Sequence, residues 1–126
     1  NLKSTVILLR SSNKIDHIVE FLNEKNFLTE NIKSNNNVNY ENNSLKICTM
    51  SSIKGLEFNN VIILDLNDEI IPYPKGFVED DDEFHISTER RLLYTCMTRA
   101  RNKLCLFSSD KENPSRYLKE INPNLL

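Results

Sequence analysis

The sequence predicts an α/β domain, layered around a mainly parallel sheet. Three observations carry this. Apolar runs recur at Thr5–Leu9, which is rich in β-branched residues, and at Leu45–Thr49, 61–64 and 104–107, as strands covered on both faces require. Other stretches carry apolar residues at helical spacing. The two kinds alternate along the chain instead of segregating, the pattern of helices packed on a sheet.

Each element has its own signal. TVILL at Thr5–Leu9 reads as a buried strand. Ser11, Ser12 and Asn13 offer N-cap chemistry before Ile15, Ile18, Val19 and Leu22, which sit at i, i+3, i+4 and i+7. Residues 27–32 fit a short edge strand. Residues 34–43 read SNNNVNYENN; six of these ten are Asn and no period is visible, so this is a linker. LKICT at Leu45–Thr49 is a second buried strand, and VIIL at 61–64 is the most strand-like run of all. Pro72 and Pro74 end regular structure. The run EDDDE at 79–83 reads as a solvated acidic loop, because consecutive carboxylates cannot all converge on one ion. Ser87 or Thr88 is placed to cap a helix over 88–101, with Glu89 in its first turn. Leu92, Leu93, Cys96, Met97 and Ala100 form its apolar face; Arg91, Thr95, Thr98, Arg99 and Arg101 lie off it or at its rim. A strand at 104–107 follows. Asn113-Pro114 then starts a last helix docked by Tyr117, Leu118 and Ile121.

The chain has 126 residues, 39% hydrophobic and 27% charged, which suits one domain or one slice of a larger one. No apolar run approaches the ~18 residues of a membrane span, and the start does not read as a signal peptide. Sixteen basic against eighteen acidic residues leave a formal charge of −2 and a pI near 5.7. That excludes a freestanding basic nucleic-acid binder but not a small local patch of cations. Cys48, Cys96 and Cys105 show neither CxxC spacing nor an even count, so no disulfide or zinc framework is expected; each reads as a buried small hydrophobe. His17 and His85 are too far apart in sequence to suggest a shared metal or triad site. A cytoplasmic setting is the natural expectation.

Chemistry is to be sought in two polar segments that adjoin strands, 51–57 and 98–101. Gly55 and Gly76 are the only glycines, so the chain cannot build a P-loop or a GxGxxG turn by itself. Gly55 lets backbone approach a ligand closely. Lys54 could meet a phosphate and Glu57 a sugar hydroxyl; the same residues also fit an ordinary strand-to-turn junction facing water. Arginines near a helix C-terminus are favoured by the dipole and commonly just face solvent, yet one held there could offer its planar fork to a phosphate.

Taken together the segments are more specific. Thr49-Met50-Ser51-Ser52-Ile53-Lys54-Gly55-Leu56-Glu57-Phe58 resembles motif V of the UvrD/Rep/PcrA-type superfamily 1 helicases, T-x-H-x-x-K-G-L-E-F. Glu89-Arg90-Arg91-Leu92-Leu93-Tyr94-Thr95-Cys96-Met97-Thr98-Arg99-Ala100 resembles their motif VI, E-R-R-L-x-Y-x-x-x-T-R-A. Residues 5–22, with Arg10 ending the strand, look like an earlier strand–helix motif, and Pro114 to Leu118 resembles the closing P-S-R-F-L segment.

This resemblance implies a three-layer RecA-like fold, the P-loop NTPase type without its own P-loop, over 1–126. It implies the second motor domain of an ATP-dependent DNA helicase. ATP with Mg²⁺ would lie between this domain and an N-terminal RecA-like domain that supplies the P-loop and the Mg²⁺ ligands; no metal site is expected here. Arg99 would be the catalytic arginine finger, Glu57 would lie near the ribose, and Lys54 and Gly55 beside the phosphates. Arg91 would organise motif VI. Single-stranded DNA would run along Arg10, Ser12, Ser51 and Ser52. Ser51 replaces the family His and Ser12 the family Asn, so this track is the less secure part of the resemblance. Relatives carry an accessory insertion where this chain has the linker 34–43, so regulation by such a subdomain is not carried over. The fragment alone should be inactive, with no membrane association. The competing reading is a non-catalytic helicase-like module for protein interaction, which would have no need of Lys54, Gly55, Glu57 and Arg99.

Overall fold

Among the described residues, five parallel strands form one sheet in the order β2-β3-β1-β4-β5, with β1 Thr5–Leu9, β2 Thr29–Asn31, β3 Leu45–Thr49, β4 Phe58–Ile63 and β5 Ala100–Leu106. This computed structural model describes residues 2–32, 40–74, 82–122 and 124. β1 is the central strand. It pairs with β3 (Ile7 opposite Ile47) and with β4 (Ile7 opposite Ile62). All five residues of TVILL are buried because both faces of the sheet are covered. Val6 and Leu8 face one core with Cys48, Val61, Ile63, Leu93, Cys96 and Tyr117. Ile7 and Leu9 face the other, with Leu45, Ile47 and Ile15. A helix lies in each core, α1 (Ile15–Glu24) against the second and α2 (Glu83–Met97) against the first, which makes the three layers.

The helical stripe of α1 holds as read: Ile15 is buried, and Ile18, Val19 and Leu22 pack on the same core. Its start differs. Ser12–Lys14 form a 3₁₀ turn, and neither Ser11 nor Lys14 bonds the helix through its side chain. Its end is a Schellman closure: Phe27 N donates to Leu22 O and Asn26 N to Asn23 O, with Asn26 left-handed at φ 67.

The helix expected over 88–101 begins earlier. Asp82, not Ser87 or Thr88, is the cap, its carboxylate accepting from Phe84 N (3.0 Å) and His85 N (3.3 Å). The low-periodicity stretch 83–87 masked this start in the sequence. Glu89 is therefore one and a half turns inside the helix, and buried. α2 ends at Met97, and Ala100 already belongs to β5. Leu93 and Cys96 of the expected apolar face are buried, and Leu92 and Met97 pack at its margin. The last helix is shorter than expected, a five-residue 3₁₀ turn, Arg116–Glu120. Pro114 forms a bridge with Asn67 instead of starting it. Tyr117 is fully buried and donates to Ile86 O at 2.7 Å. Most of the predicted linker and of the acidic loop lies outside the described residues; Asn42, however, is tied back to the sheet by its bond to Glu30.

The path from β3 to β4 positions the candidate chemistry. β3 ends at Thr49 on the carboxyl edge, and β4 begins at Phe58 on the amino edge, on the far side of β1. Residues 50–57 therefore cross the sheet over β1. Met50, Ile53 and Leu56 anchor this crossover in the α2-side core, and Cys96 Sγ donates to Met50 O.

Candidate functional site

The predicted residues fall into two groups, at opposite edges of the sheet, joined by the crossover. Arg99 sits where α2 turns into β5, and its carbonyl accepts from Phe58 N at the start of β4. The side chain is half-buried. Its Nε is buried without a hydrogen-bond partner, and its Nη2 reaches only the neighbouring Thr98 hydroxyl at 3.3 Å. Arg10, Arg90, Arg101 and Arg116 are each paired with a carboxylate. Arg99 has no such partner among the described residues, which leaves its charge available to an anion.

Glu57 lies on the same edge, just before β4. Its carboxylate accepts from Arg101 Nε at 3.1 Å, and both side chains are about half exposed (49% and 61%). An exposed pair of this kind contributes little stability, so Glu57 can exchange Arg101 for another donor at small cost. Gly55 adopts φ +77, and nothing lies within 4 Å of the position its Cβ would take. The turn requires the left-handed backbone, while the open space beside it accommodates a ligand. Lys54 is exposed next to it.

On the carboxyl edge, Arg10 follows β1 directly, at the point where the strand order reverses. It does not lie open on the surface. Its Nε donates to both oxygens of Glu89 (3.1 and 3.0 Å), and its guanidinium stacks 4.9 Å from the centre of the Tyr73 ring. Arg10, Ser11, Lys14, Asp65, Glu69 and Tyr73 line a pocket of about 260 Å³. Lys14 and Asp65 pair across it at 2.9 Å. Asp65 and Glu69 both hold positive φ, 55 and 76, which is uncommon for residues with a Cβ.

A separate groove of about 400 Å³ on this edge runs between the ends of β1, β2 and β3; Ser12, Asp16, Asn31, Thr49 and Ser52 supply its polar lining. The structure thus brings Ser12 and Ser52 together, with the Ser52 and Thr49 hydroxyls bonded at 2.9 Å. Ser51 is exposed and outside the lining, and Arg10 belongs to the neighbouring pocket.

Several participants were not legible in the sequence. Glu89 read as a first-turn charge, Tyr73 was not singled out, and the pairing of Arg101 with Glu57 joins residues 44 positions apart. Arg91, expected to organise its motif, is exposed. Its neighbour Arg90 pairs with Glu120 (2.9 Å) and lies 5.4 Å over the Tyr117 ring. Cys48 and Cys96 are buried, as read, whereas Cys105, read the same way, is only half-buried. Burial pushes the thiols of Cys48 and Cys96 up to about 12. At Cys96 the positive charges of Arg99 and Arg10 both oppose that rise, so both cations are felt at one buried position between the two edges. Among the described residues, no group of His, Cys, Asp and Glu is arranged to hold a metal ion, and no helix is long and apolar enough to cross a membrane.

Comparison with known proteins adds independent findings. The family model for the UvrD-like helicase C-terminal domain matches residues 1–111. Proteins named ATP-dependent DNA helicase PcrA, from Staphylococcus epidermidis and Staphylococcus aureus, are each 36% identical over 67% of this chain. The chain spans 13% of the length of these relatives. Among solved structures, the C-terminal domain of a possible DNA helicase from Lactobacillus plantarum WCFS1 matches with a TM-score of 0.69 at 24% identity, covering 97% of this chain and 65% of that one. The C-terminal part of the Fun30 ATPase domain matches with a TM-score of 0.50 at 17% identity, over 85% of this chain and 36% of that one. Both structural likenesses speak for the fold.

Proposed function

The chain belongs to the UvrD-like helicase C-terminal domain family, and from that premise we propose that it is the second RecA-like motor domain of an ATP-dependent DNA helicase or translocase. The observation that carries this reading is Arg99. A half-buried guanidinium whose Nε has no partner, and which faces no carboxylate among the described residues, fits an anion that another molecule brings. The four other arginines with carboxylate partners are already neutralised.

In this reading ATP binds between this domain and an N-terminal RecA-like domain of the same protein, which carries the P-loop and the Mg²⁺ ligands. When bound, Mg²⁺ offsets charge on the phosphate oxygens. Arg99 places positive charge where negative charge develops on the oxygens of the γ-phosphoryl group during transfer, and does so without reorganising. Glu57 accepts from a ribose hydroxyl in place of Arg101. Lys54 and the open backbone at Gly55 border the phosphates. Single-stranded DNA runs over the carboxyl edge, with Ser12, Ser51 and Ser52 donating to phosphate oxygens and Arg10 offering its Nη donors. Asp16 in the same groove opposes a phosphate there, so the track draws on few contacts and on no basic stripe. Such binding is independent of sequence and weakens as salt rises.

The domain holds only half of the site. ATP turnover by these 126 residues alone is expected to equal the buffer background, while the full-length protein hydrolyses ATP in response to oligothymidylate. Robust hydrolysis by the purified 126-residue chain overturns this reading.

A further inference from the structure

Glu89 is almost completely buried, its side chain 3% exposed, whereas Glu83, the other acid of α2, is exposed. A carboxylate is held inside a protein only when it is paired and hydrogen-bonded. Glu89 accepts from Arg10 Nε with both oxygens and from Tyr73 N at 2.7 Å. It therefore ties α2 to the end of the central strand and to the loop before the helix.

Arg10 and the exposed Arg101 both donate to a carboxylate through Nε alone, but only Arg10 is held against a buried one. In two pairs that join elements of the fold, Arg116–Asp68 and Arg90–Glu120, the arginine donates through Nη2 as well as Nε. Arg10 donates through Nε alone, and its two Nη groups have no protein partner among the described residues. Its planar face rests on the Tyr73 ring. Glu89 and Tyr73 fix the inner part of the guanidinium and leave its outer fork free, the arrangement that suits bidentate bonding to a phosphate.

We propose that Glu89 is a positioning residue, which grips Arg10 through Nε so that both Nη groups serve a phosphate arriving at the carboxyl end of β1. This rests on the reading of Arg10 as a phosphate contact. The phosphate belongs either to the DNA strand or to ATP, and its chemistry is the same in both. A positioning role has an opposite sign from simple neutralisation. Were Glu89 only a counter-charge, removing it would strengthen the attraction of Arg10 for phosphate; as a positioning residue, its removal weakens phosphate binding.

The test compares Glu89→Gln, Arg10→Lys and Arg10→Ala in the full-length protein. Two constants are read from steady-state ATPase: the oligothymidylate concentration giving half-maximal stimulation, and KM for ATP. Glu89→Gln is expected to raise one of them about tenfold, the low end of the effect of losing a group that orients a ligating side chain. The constant that moves identifies the source of the phosphate. Arg10→Lys keeps a cation beside Glu89 but has no Nε to grip, so it should give the same loss, and it carries the test if Glu89→Gln fails to fold. Adding Glu89→Gln to Arg10→Ala should change nothing further. Unchanged or tighter constants in Glu89→Gln, or full activity in Arg10→Lys, while Arg10→Ala is impaired, overturn the positioning role and leave Arg10 as a phosphate contact. If Arg10→Ala moves neither constant, the phosphate reading of Arg10 falls, and the role of Glu89 falls with it.

Discussion

Arg99 is defined by what it lacks, and that gives the sharpest test of a single residue. In the full-length protein Arg99→Ala should reduce DNA-stimulated ATP turnover by ~10³ or more, the usual effect of losing an arginine finger. Near-normal turnover would remove the catalytic role. Lys46 presents the converse case, a charge with every need met inside the fold. It is fully buried in β3, and its Nζ donates to the Asn42 and Ser44 carbonyls (3.2 and 3.1 Å) and to the Ser44 hydroxyl (2.5 Å). Glu30 Oε2, at 3.5 Å, is an ion-pair partner and not a hydrogen-bond one. Lys46→Met should destabilise the domain by about 2 kcal/mol, because polar groups built around the ammonium lose their donor; a urea midpoint equal to that of the native chain would refute this. The sequence shows a lysine inside the strand LKICT but not its burial, since the groups that make it tolerable lie in a turn and a neighbouring strand. Arg99 stands out for a different reason. Its motif is a run of contiguous residues, whereas the pairing of Arg10 with Glu89 spans 79 positions and depends on where α2 docks.

Among the elements, the strands were the most readable, because burial on both faces writes itself as consecutive apolar residues. Both ends of α2 and the terminal 3₁₀ turn were less so. Caps are short-range signals with many decoys, and Asp82 competes in the sequence with Ser87 and Thr88. Asp82→Ala removes the acceptor for two helix N–H groups and should lower stability by about 1 kcal/mol, without changing the helix content measured in the folded state. Ser87→Ala and Thr88→Ala, inside the helix, should leave the melting temperature within a degree or two, and a larger drop for either would restore them as caps. Asn67 shows how loops at the carboxyl edge are closed. Its side-chain oxygen accepts from Ser108 Oγ, Ser109 N and Asp110 N, joining the turn after β4 to the turn after β5. No periodicity announces such a hub, because its role comes from backbone groups more than 40 residues away.

At the scale of the whole molecule, stability should be greatest across a window of pH bounded by two kinds of group. The carboxylates of Glu30, Asp68 and Glu120 lie below their ordinary values; hydrogen bonds from Asn42, Arg116 and Arg90, respectively, are the main causes. A lowered carboxylate contributes stability that is present above its unfolded value, near 4, and is lost as pH falls through the folded one. The thiols of Cys48 and Cys96 are pushed by burial from 9.0 up to about 12 and the Tyr117 hydroxyl from 10.0 up to about 12, so the folded state favours their neutral forms. That contribution is complete below pH 9 and fades as pH rises toward 12. The melting temperature should therefore be level from about pH 5 to 8.5 and fall on both sides, the acid limb tracing the carboxylates and the alkaline limb the buried thiols and phenol. A melting temperature that keeps rising below pH 4 would contradict it. The arrangement of strands has a further consequence, for the order in which the chain can acquire structure. β1 comes first in sequence but lies at the centre of the sheet, and both of its neighbours, β3 and β4, begin only at Leu45 and Phe58. The helix and strand that follow it, α1 and β2, give it no pairing partner, since β2 bonds to β3. As the polypeptide leaves the ribosome, β1 must wait for more than 35 residues of later chain before β3 can form a ladder with it, and longer for β4, so folding is governed by non-local closure.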